Sequence, residues 1–197
     1  LDGGLKLEPR IYTFENRLAF SEGRRQDTDI QTIRKMIDGC ADVRIPTTQE
    51  NKKGIDYVAT LRHGAELYID AKARDAGCSR FWKDGPELAL EDWSVVADNG
   101  NTPKVGWTLD ESKLSDLILF TFDPSDADVC YLLCFQLLRI AFRRNYREWK
   151  RTYKGAFQNS ADWRSHCIFV PASVVMEAIA TVSVGFITEK DLELVNV

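Results

Sequence analysis

Residues 54–74, GIDYVATLRHGAELYIDAKAR, restrict what this chain can fold into more than any other stretch. Two apolar alternations flank a short polar turn. In the first, Ile55, Tyr57, Ala59 and Leu61 share one parity, and Asp56, Val58 and Thr60 the other. In the second, Ala65, Leu67, Ile69 and Ala71 alternate with Glu66, Tyr68, Asp70 and Lys72. Both apolar sets are buried together only if they lie on one side of a sheet, because a slip of one residue sends a whole set to water. That condition places Leu61 opposite Ala65 and leaves Arg62, His63 and Gly64 as a three-residue loop, with glycine where such loops need a left-handed residue. It also places Asp56 opposite Asp70, with Lys72 two residues further along the same face.

Two carboxylates facing each other across a hairpin repel unless a cation compensates. Mg²⁺ is a hard ion that takes one or two carboxylates and completes its shell with water and phosphate oxygens, which suits two aspartates on a rigid sheet. Lys72 beside the ion would position or help deprotonate an attacking water, or neutralise charge building on a phosphate. A bound metal lowers the pKa of water and polarises a phosphoryl oxygen. The chemistry this set suggests is hydrolysis of a phosphodiester.

An acid at the start of one strand followed by Asp-x-Lys on the next resembles the PD-(D/E)XK nuclease superfamily, whose fold is restriction-endonuclease-like. Asp56 takes the first position and Asp70-Ala71-Lys72 the second, over a resemblance spanning about residues 13–122. Ile55 stands where the family name has Pro. The resemblance implies an α/β (α+β) domain with a central mixed β-sheet flanked by helices. It implies Mg²⁺ (or Mn²⁺) held by Asp56 and Asp70, the carbonyl of Ala71 as an added ligand, and Lys72 as the catalytic cation. Family members often carry a metal-assisting acid on the first helix, and Glu15 and Glu22, seven apart on one helical face, fit that place. The implied activity is that of a metal-dependent endodeoxyribonuclease. The alternative from a different class is a non-catalytic module of the same fold that binds nucleic acid or a protein; an RNA-cleaving enzyme would share the site. Glu91 is a further ligand candidate, although a plain exposed strand glutamate is the favoured reading.

The remaining sequence reads as a single domain over 1–197, with a core at about 13–122 and an extension of helix and late strand at 127–186. Its 197 residues, 44% apolar, suffice for a core without disulfides or zinc. Helices are expected from about Thr13 to Arg25 and from Thr28, where Gln31 completes a capping box, Ile30, Ile33 and Ile37 form the buried stripe and Gly39 ends the element. A polar loop, Thr47 to Lys53, precedes strands at Ile55–Leu61, Ala65–Ala73, Leu88–Ala97 and Leu114–Phe122. A long helix or helix pair is expected from about Ala127 to Lys154, then a late strand at CIFVP and a final helix starting at ASVVMEAI.

Net charge is -4, with 26 Lys+Arg against 30 Asp+Glu, yet residues 139–154 hold seven cations against Glu148 alone. Arg143, Arg147, Lys150, Arg151 and Lys154 fall along one helical face, a stripe suited to successive phosphates and sensitive to salt, with DNA the favoured partner over RNA. Tyr146, Trp149 and Tyr153 fall on a neighbouring face and are expected to pack on the core. Arg24 and Arg25 extend the patch or complement a helix end. Arg80 and Lys83, beside Phe81 and Trp82, would form a lip at the substrate.

Cys40, Cys78, Cys130, Cys134 and Cys167 include no CxxC pair, which suggests a reducing, cytoplasmic setting. Cys130 and Cys134 are expected as two small buried residues on one helix face. His63 is expected exposed in the hairpin turn, and His166 and Trp163 structural. No run is long enough to span a membrane, so no membrane partner is expected; a homodimer is left open.

Overall fold

The strands of this chain form two sheets, not one. A computed structural model describes residues 26–74, 76–96, 100, 102–159 and 163–184. Its elements in order are α1 (Gln26–Met36), β1 (Cys40–Arg44), α2 (Thr48–Lys52), β2 (Tyr57–Leu61), β3 (Glu66–Ala73), a 3₁₀ turn (Cys78–Phe81), β4 (Glu87–Val95) and β5 (Lys104–Val105). They continue with β6 (Leu117–Thr121), β7 (Cys130–Cys134), α3 (Phe135–Thr152), β8 (Gly155–Asn159), β9 (Arg164–Pro171) and α4 (Ala172–Val184). The first sheet runs β1-β2-β3-β6-β7 and the second β5-β4-β9-β8. β3 and β6 are parallel, while the other pairs in both sheets are antiparallel.

The first sheet is the middle layer. On one of its faces Ile33 and Ile37 of α1 bury Val43, Tyr57, Ala59, Ile69 and Leu119. On the other, Ile118 and Phe120 share a core with Leu88 and Leu90 of β4, Ile168 and Val170 of β9, and Leu138 and Phe142 of α3. Burying a Leu, Ile or Phe fully is worth roughly 1.5–3 kcal/mol each, so these two apolar clusters set which face of β3 looks toward which layer. Ile69 is packed against α1; Asp70 and Lys72, on the opposite parity, lie in register with Ile118 and Phe120 and face the second layer.

The mixed α/β character is as expected, but several elements differ. The strand expected at 88–97 leaves the central sheet: β4 pairs with β9, far away in sequence, inside the crossover that a parallel β3–β6 pair requires. The expected helix from Ala127 to Lys154 is broken, since Cys130–Cys134 pairs with β6 as a strand and the helix begins at Phe135. A continuous apolar run such as VCYLLC suits a strand and a helix equally, and the open edge of β6 decides. Cys130 is consequently half-buried and Cys134 exposed, not a buried pair on a helix. The stretch expected as a loop at Thr47–Lys53 holds α2, capped by Thr47 and Glu50 in a reciprocal capping box. α1 starts at Gln26, so Thr28 sits inside its first turn beside Asp27 and Asp29, whose charges favour that end of the helix dipole. β1 and β8 were not expected. The helix expected at 13–25, with Glu15, Glu22, Arg24 and Arg25, lies outside the described residues. Cys40, Cys78, Cys130, Cys134 and Cys167 are all free thiols.

Candidate active site

The hairpin forms in the expected register. Tyr57 pairs with Ile69, Val58 with Tyr68, Ala59 with Leu67 and Thr60 with Glu66. The Leu61 amide donates to the Ala65 carbonyl at 2.8 Å, and Gly64, at φ +89°, closes the three-residue loop that holds the exposed His63. The ladder ends at Tyr57, and Asp56 stands at its edge. Its amide donates to the Ile69 carbonyl at 2.8 Å, and its carboxylate accepts the Ala71 amide at 2.9 Å. At the end of β2 a side chain thus replaces the backbone acceptor that Ala71 would otherwise meet.

The segment leading to Asp56 is fixed from three sides. The Ile55 amide donates to the Glu50 carbonyl of α2 at 3.3 Å, and the Ile55 side chain is 2% exposed. The buried Ser115 hydroxyl donates to the Gly54 carbonyl at 2.7 Å. Gly54 turns at φ +81°, where the stem of Lys113 occupies the place a Cβ would take.

Asp70 is 2% exposed, and the Lys72 ammonium donates to its Oδ1 at 2.5 Å. Burial drives the Asp70 carboxyl up to about 7; the Lys72 charge opposes this, and Asp56 adds to it both by charge and by hydrogen bonding. For Lys72, burial pulls the pKa down, but the charges of Asp70, Asp56 and Glu91 outweigh it and leave it raised, so the side chain is an ammonium. Its Nζ also lies 5.2 Å from the Trp107 ring centroid.

This donor set fits a divalent cation. A proton held by a carboxyl with a raised pKa beside a second carboxyl occupies the position where a metal would supply the same compensation, and two carboxylates are what Mg²⁺ commonly takes from protein. Among the described residues, no three of His, Cys, Asp and Glu converge to hold a metal. Asp56 accepts the Ala71 amide and Asp70 the Lys72 ammonium.

Glu91 comes closer to this site than its sequence suggested. It lies half-buried on β4, its Oε2 accepts the Trp107 amide at 3.1 Å, and its charge reaches Lys72. Gly106 makes the approach feasible, because a Cβ there would overlap the Glu91 carbonyl.

A second polar cluster escaped the sequence reading. Asp92 is fully buried; His166 Nδ1 lies 2.5 Å from its Oδ1, and Tyr146 donates to its Oδ2 at 2.9 Å. The Lys150 ammonium reaches the same Oδ2 at 3.4 Å and donates to the Tyr146 oxygen at 2.8 Å. The signal was available, since Asp92 shares the parity of Leu88 and Leu90, the buried side of β4. His166 has the structural role expected of it.

The basic residues of the 139–154 stretch do not form one open stripe. Arg143 pairs with Glu111 at 2.8 Å, Lys150 belongs to the Asp92 cluster, and Lys154 lies past the helix end with its Nζ 4.8 Å from the Phe81 ring centroid. Arg147 and Arg151 are exposed. Trp149 is buried and Tyr146 and Tyr153 pack on the core, as expected. Arg80 also lies over Phe81, at 4.6 Å, on a 3₁₀ turn whose first amides, Gly77, Cys78 and Ser79, all donate to Asp126. Phe81 itself is 49% exposed.

No protein-family model, curated protein or solved structure matches this chain. Among the described residues no helix is long and apolar enough to cross a membrane.

Proposed function

We propose that this chain is a metal-dependent nuclease that hydrolyses phosphodiester bonds in DNA, with a restriction-endonuclease-like core and Asp56, Asp70 and Lys72 as its catalytic residues. The observation that carries the reading is the position of Asp56 at the end of the β2–β3 ladder, its carboxylate on the Ala71 amide at 2.9 Å, next to Asp70, whose Oδ1 lies 2.5 Å from the Lys72 ammonium. The strand order supports it as well: β3 lies between antiparallel β2 and parallel β6, with α1 packed on the opposite face.

Asp56 and Asp70 would hold Mg²⁺ or Mn²⁺, with the Ala71 carbonyl as an added ligand and a glutamate from 13–25, Glu15 or Glu22, as an accessory acid. When bound, the ion polarises a phosphoryl oxygen and lowers the pKa of water. The Ala71 amide fixes Asp56 in one orientation. Lys72 stays protonated, so it serves as a donor to the attacking water or to a phosphoryl oxygen and not as a proton acceptor. Asp70 and the Trp107 ring hold that ammonium in place. Arg147 and Arg151 are exposed cations of α3 that would track the phosphate backbone of a DNA partner.

The test is incubation of the purified protein with plasmid and single-stranded DNA, in Mg²⁺ or Mn²⁺ and in EDTA. Cleavage is expected with metal, lost in EDTA and in Asp70→Ala. Metal-dependent cleavage that survives Asp70→Ala sinks the site. A salt-sensitive complex without cleavage would instead favour the non-catalytic module.

A further inference from the structure

We infer that Arg139 and Arg143 form an oxyanion subsite that grips a backbone phosphate flanking the one at the candidate active site. The choice of polymer rests on the nuclease reading; the oxyanion itself is argued from the arginines.

Arg139 is 6% exposed, on the second turn of α3. Its Nε and Nη2 are closed to solvent and have no hydrogen-bond partner among the described residues. A buried cation with unmet donors is strongly destabilising, as when one partner of a buried pair is removed, and chains rarely keep one without a counter-charge. Arg143 lies one turn further along the same face, and its charge bears on Arg139.

The acids nearby are committed elsewhere. Asp110 and Glu111 both act on Arg139 through space. The Asp110 carboxylate, however, accepts the Ser112 amide at 2.9 Å and the Ser112 hydroxyl at 2.6 Å. Glu111 accepts from Arg143 at 2.8 Å and is 58% exposed along its side chain. An exposed carboxylate resting on one arginine is a contact that a phosphate oxygen can replace, and a guanidinium fork suits the geometry of phosphate.

The subsite is joined to the active site by two rings. Trp107 has the Lys72 ammonium 5.2 Å from its centroid and the Phe135 ring at 6.0 Å, and Arg139 Cζ lies 5.0 Å from the Phe135 centroid. Backbone phosphates advance about 3.4 Å per nucleotide along a duplex axis. Two rings stand between the two cations, so Arg139 is placed for a neighbouring phosphate instead of the scissile one.

Arg139→Met tests this, because methionine keeps the apolar stem and removes the unpaired charge. Three quantities are read: thermal stability, affinity for a duplex oligonucleotide in EDTA across a KCl series, and stabilisation by inorganic phosphate. The expected variant is more stable than the parent in the absence of phosphate, binds DNA about tenfold more weakly, loses about 0.7–0.9 from the slope of log K against log salt, and gains no stability from phosphate that stabilises the parent. Unchanged affinity and salt slope, or equal stabilisation of both proteins by phosphate, overturn the subsite. If Arg139→Met does not fold, Arg139→Lys decides, since it keeps the charge without the fork: weaker binding supports the proposal and parental binding overturns it. Cleavage is scored separately. A parent that binds through Arg139 but never cuts removes the nuclease reading alone; a parent that cuts while Arg139→Met leaves KM and affinity unaltered removes the subsite alone.

Discussion

The Asp56 carboxylate and the Ala71 amide meet at 2.9 Å where the β2 ladder stops, so a residue assigned to the metal also completes the hydrogen bonding of the sheet. The two duties separate by substitution. Asn at position 56 keeps an acceptor for Ala71, whereas Ala leaves that half-buried amide unpaired. Asp56→Asn and Asp56→Ala are both expected to lose metal-dependent cleavage. Urea unfolding in EDTA should place Asp56→Ala about 1–2 kcal/mol below Asp56→Asn. Equal stabilities would mean that the contact with Ala71 contributes nothing.

Asp70 makes stability in the absence of metal depend on pH in a defined direction. Its folded pKa of about 7 lies above the ordinary 3.8, so the folded state holds a proton that the unfolded chain has released. The contribution is full below about 3.8 and is lost as pH rises through about 7, leaving a buried carboxylate that only Lys72 offsets. A divalent cation competes with that proton. Thermal scans with and without Mg²⁺ should therefore show a small rise in Tm at pH 5.5 and a larger one at pH 8. Asp70→Asn, which cannot ionise, should show neither the pH dependence nor the metal response. An identical Mg²⁺ response at both pH values in the parent would argue against a metal at Asp70.

The hairpin was legible because its constraints are local and agree. Alternation, the need to bury both apolar faces together, and Gly64 in the loop all select one register, and with it the positions of Asp56, Asp70 and Lys72. What escaped depends on partners distant in sequence. Leu88 and Leu90 look like any half-buried strand until Ile168 and Val170 of β9 pair beside them, so nothing local separates a second sheet from a strand of the first. The run at Cys130–Cys134 is apolar on every side and becomes a strand only because β6 offers an edge. The partners of the basic stretch were hidden for a related reason: periodicity puts Arg143 and Lys150 on one face of α3, and Glu111 and Asp92, which engage them, arrive from loop and strand. Burial of Arg139 was likewise invisible in a list of charges.

Gly106 is where the second sheet meets Lys72. Any Cβ at this position overlaps the backbone of Glu91, and Trp107, the next residue, both bonds to Glu91 and carries the ring beside the Lys72 ammonium. Relieving the overlap has to move Trp107 or open β4. Gly106→Ala is expected to destabilise the protein by about 2–3 kcal/mol and to lower kcat more than substrate affinity, as measured by urea unfolding and single-turnover cleavage. A variant with parental stability would show that the 104–107 segment yields without effect on the site.

Asp92 and Lys150 give the sharpest contrast between a structural and a surface charge. Asp92 is fully buried and gathers His166, Tyr146 and Lys150, so Asp92→Ala strands several polar groups in the interior and should lower stability by about 3–5 kcal/mol. Lys150 reaches the same carboxylate at 3.4 Å with a half-exposed side chain, and its removal should change stability by less than about 1 kcal/mol. Because its ammonium already serves Asp92 and Tyr146, Lys150→Ala should also weaken DNA binding less than Arg147→Ala or Arg151→Ala, whose side chains lie in solvent. Urea unfolding and binding isotherms at two salt concentrations check both halves. If Lys150→Ala reduces affinity as much as either arginine substitution, the ammonium leaves the Asp92 cluster for the phosphate backbone, and the original reading of a continuous basic stripe along α3 returns.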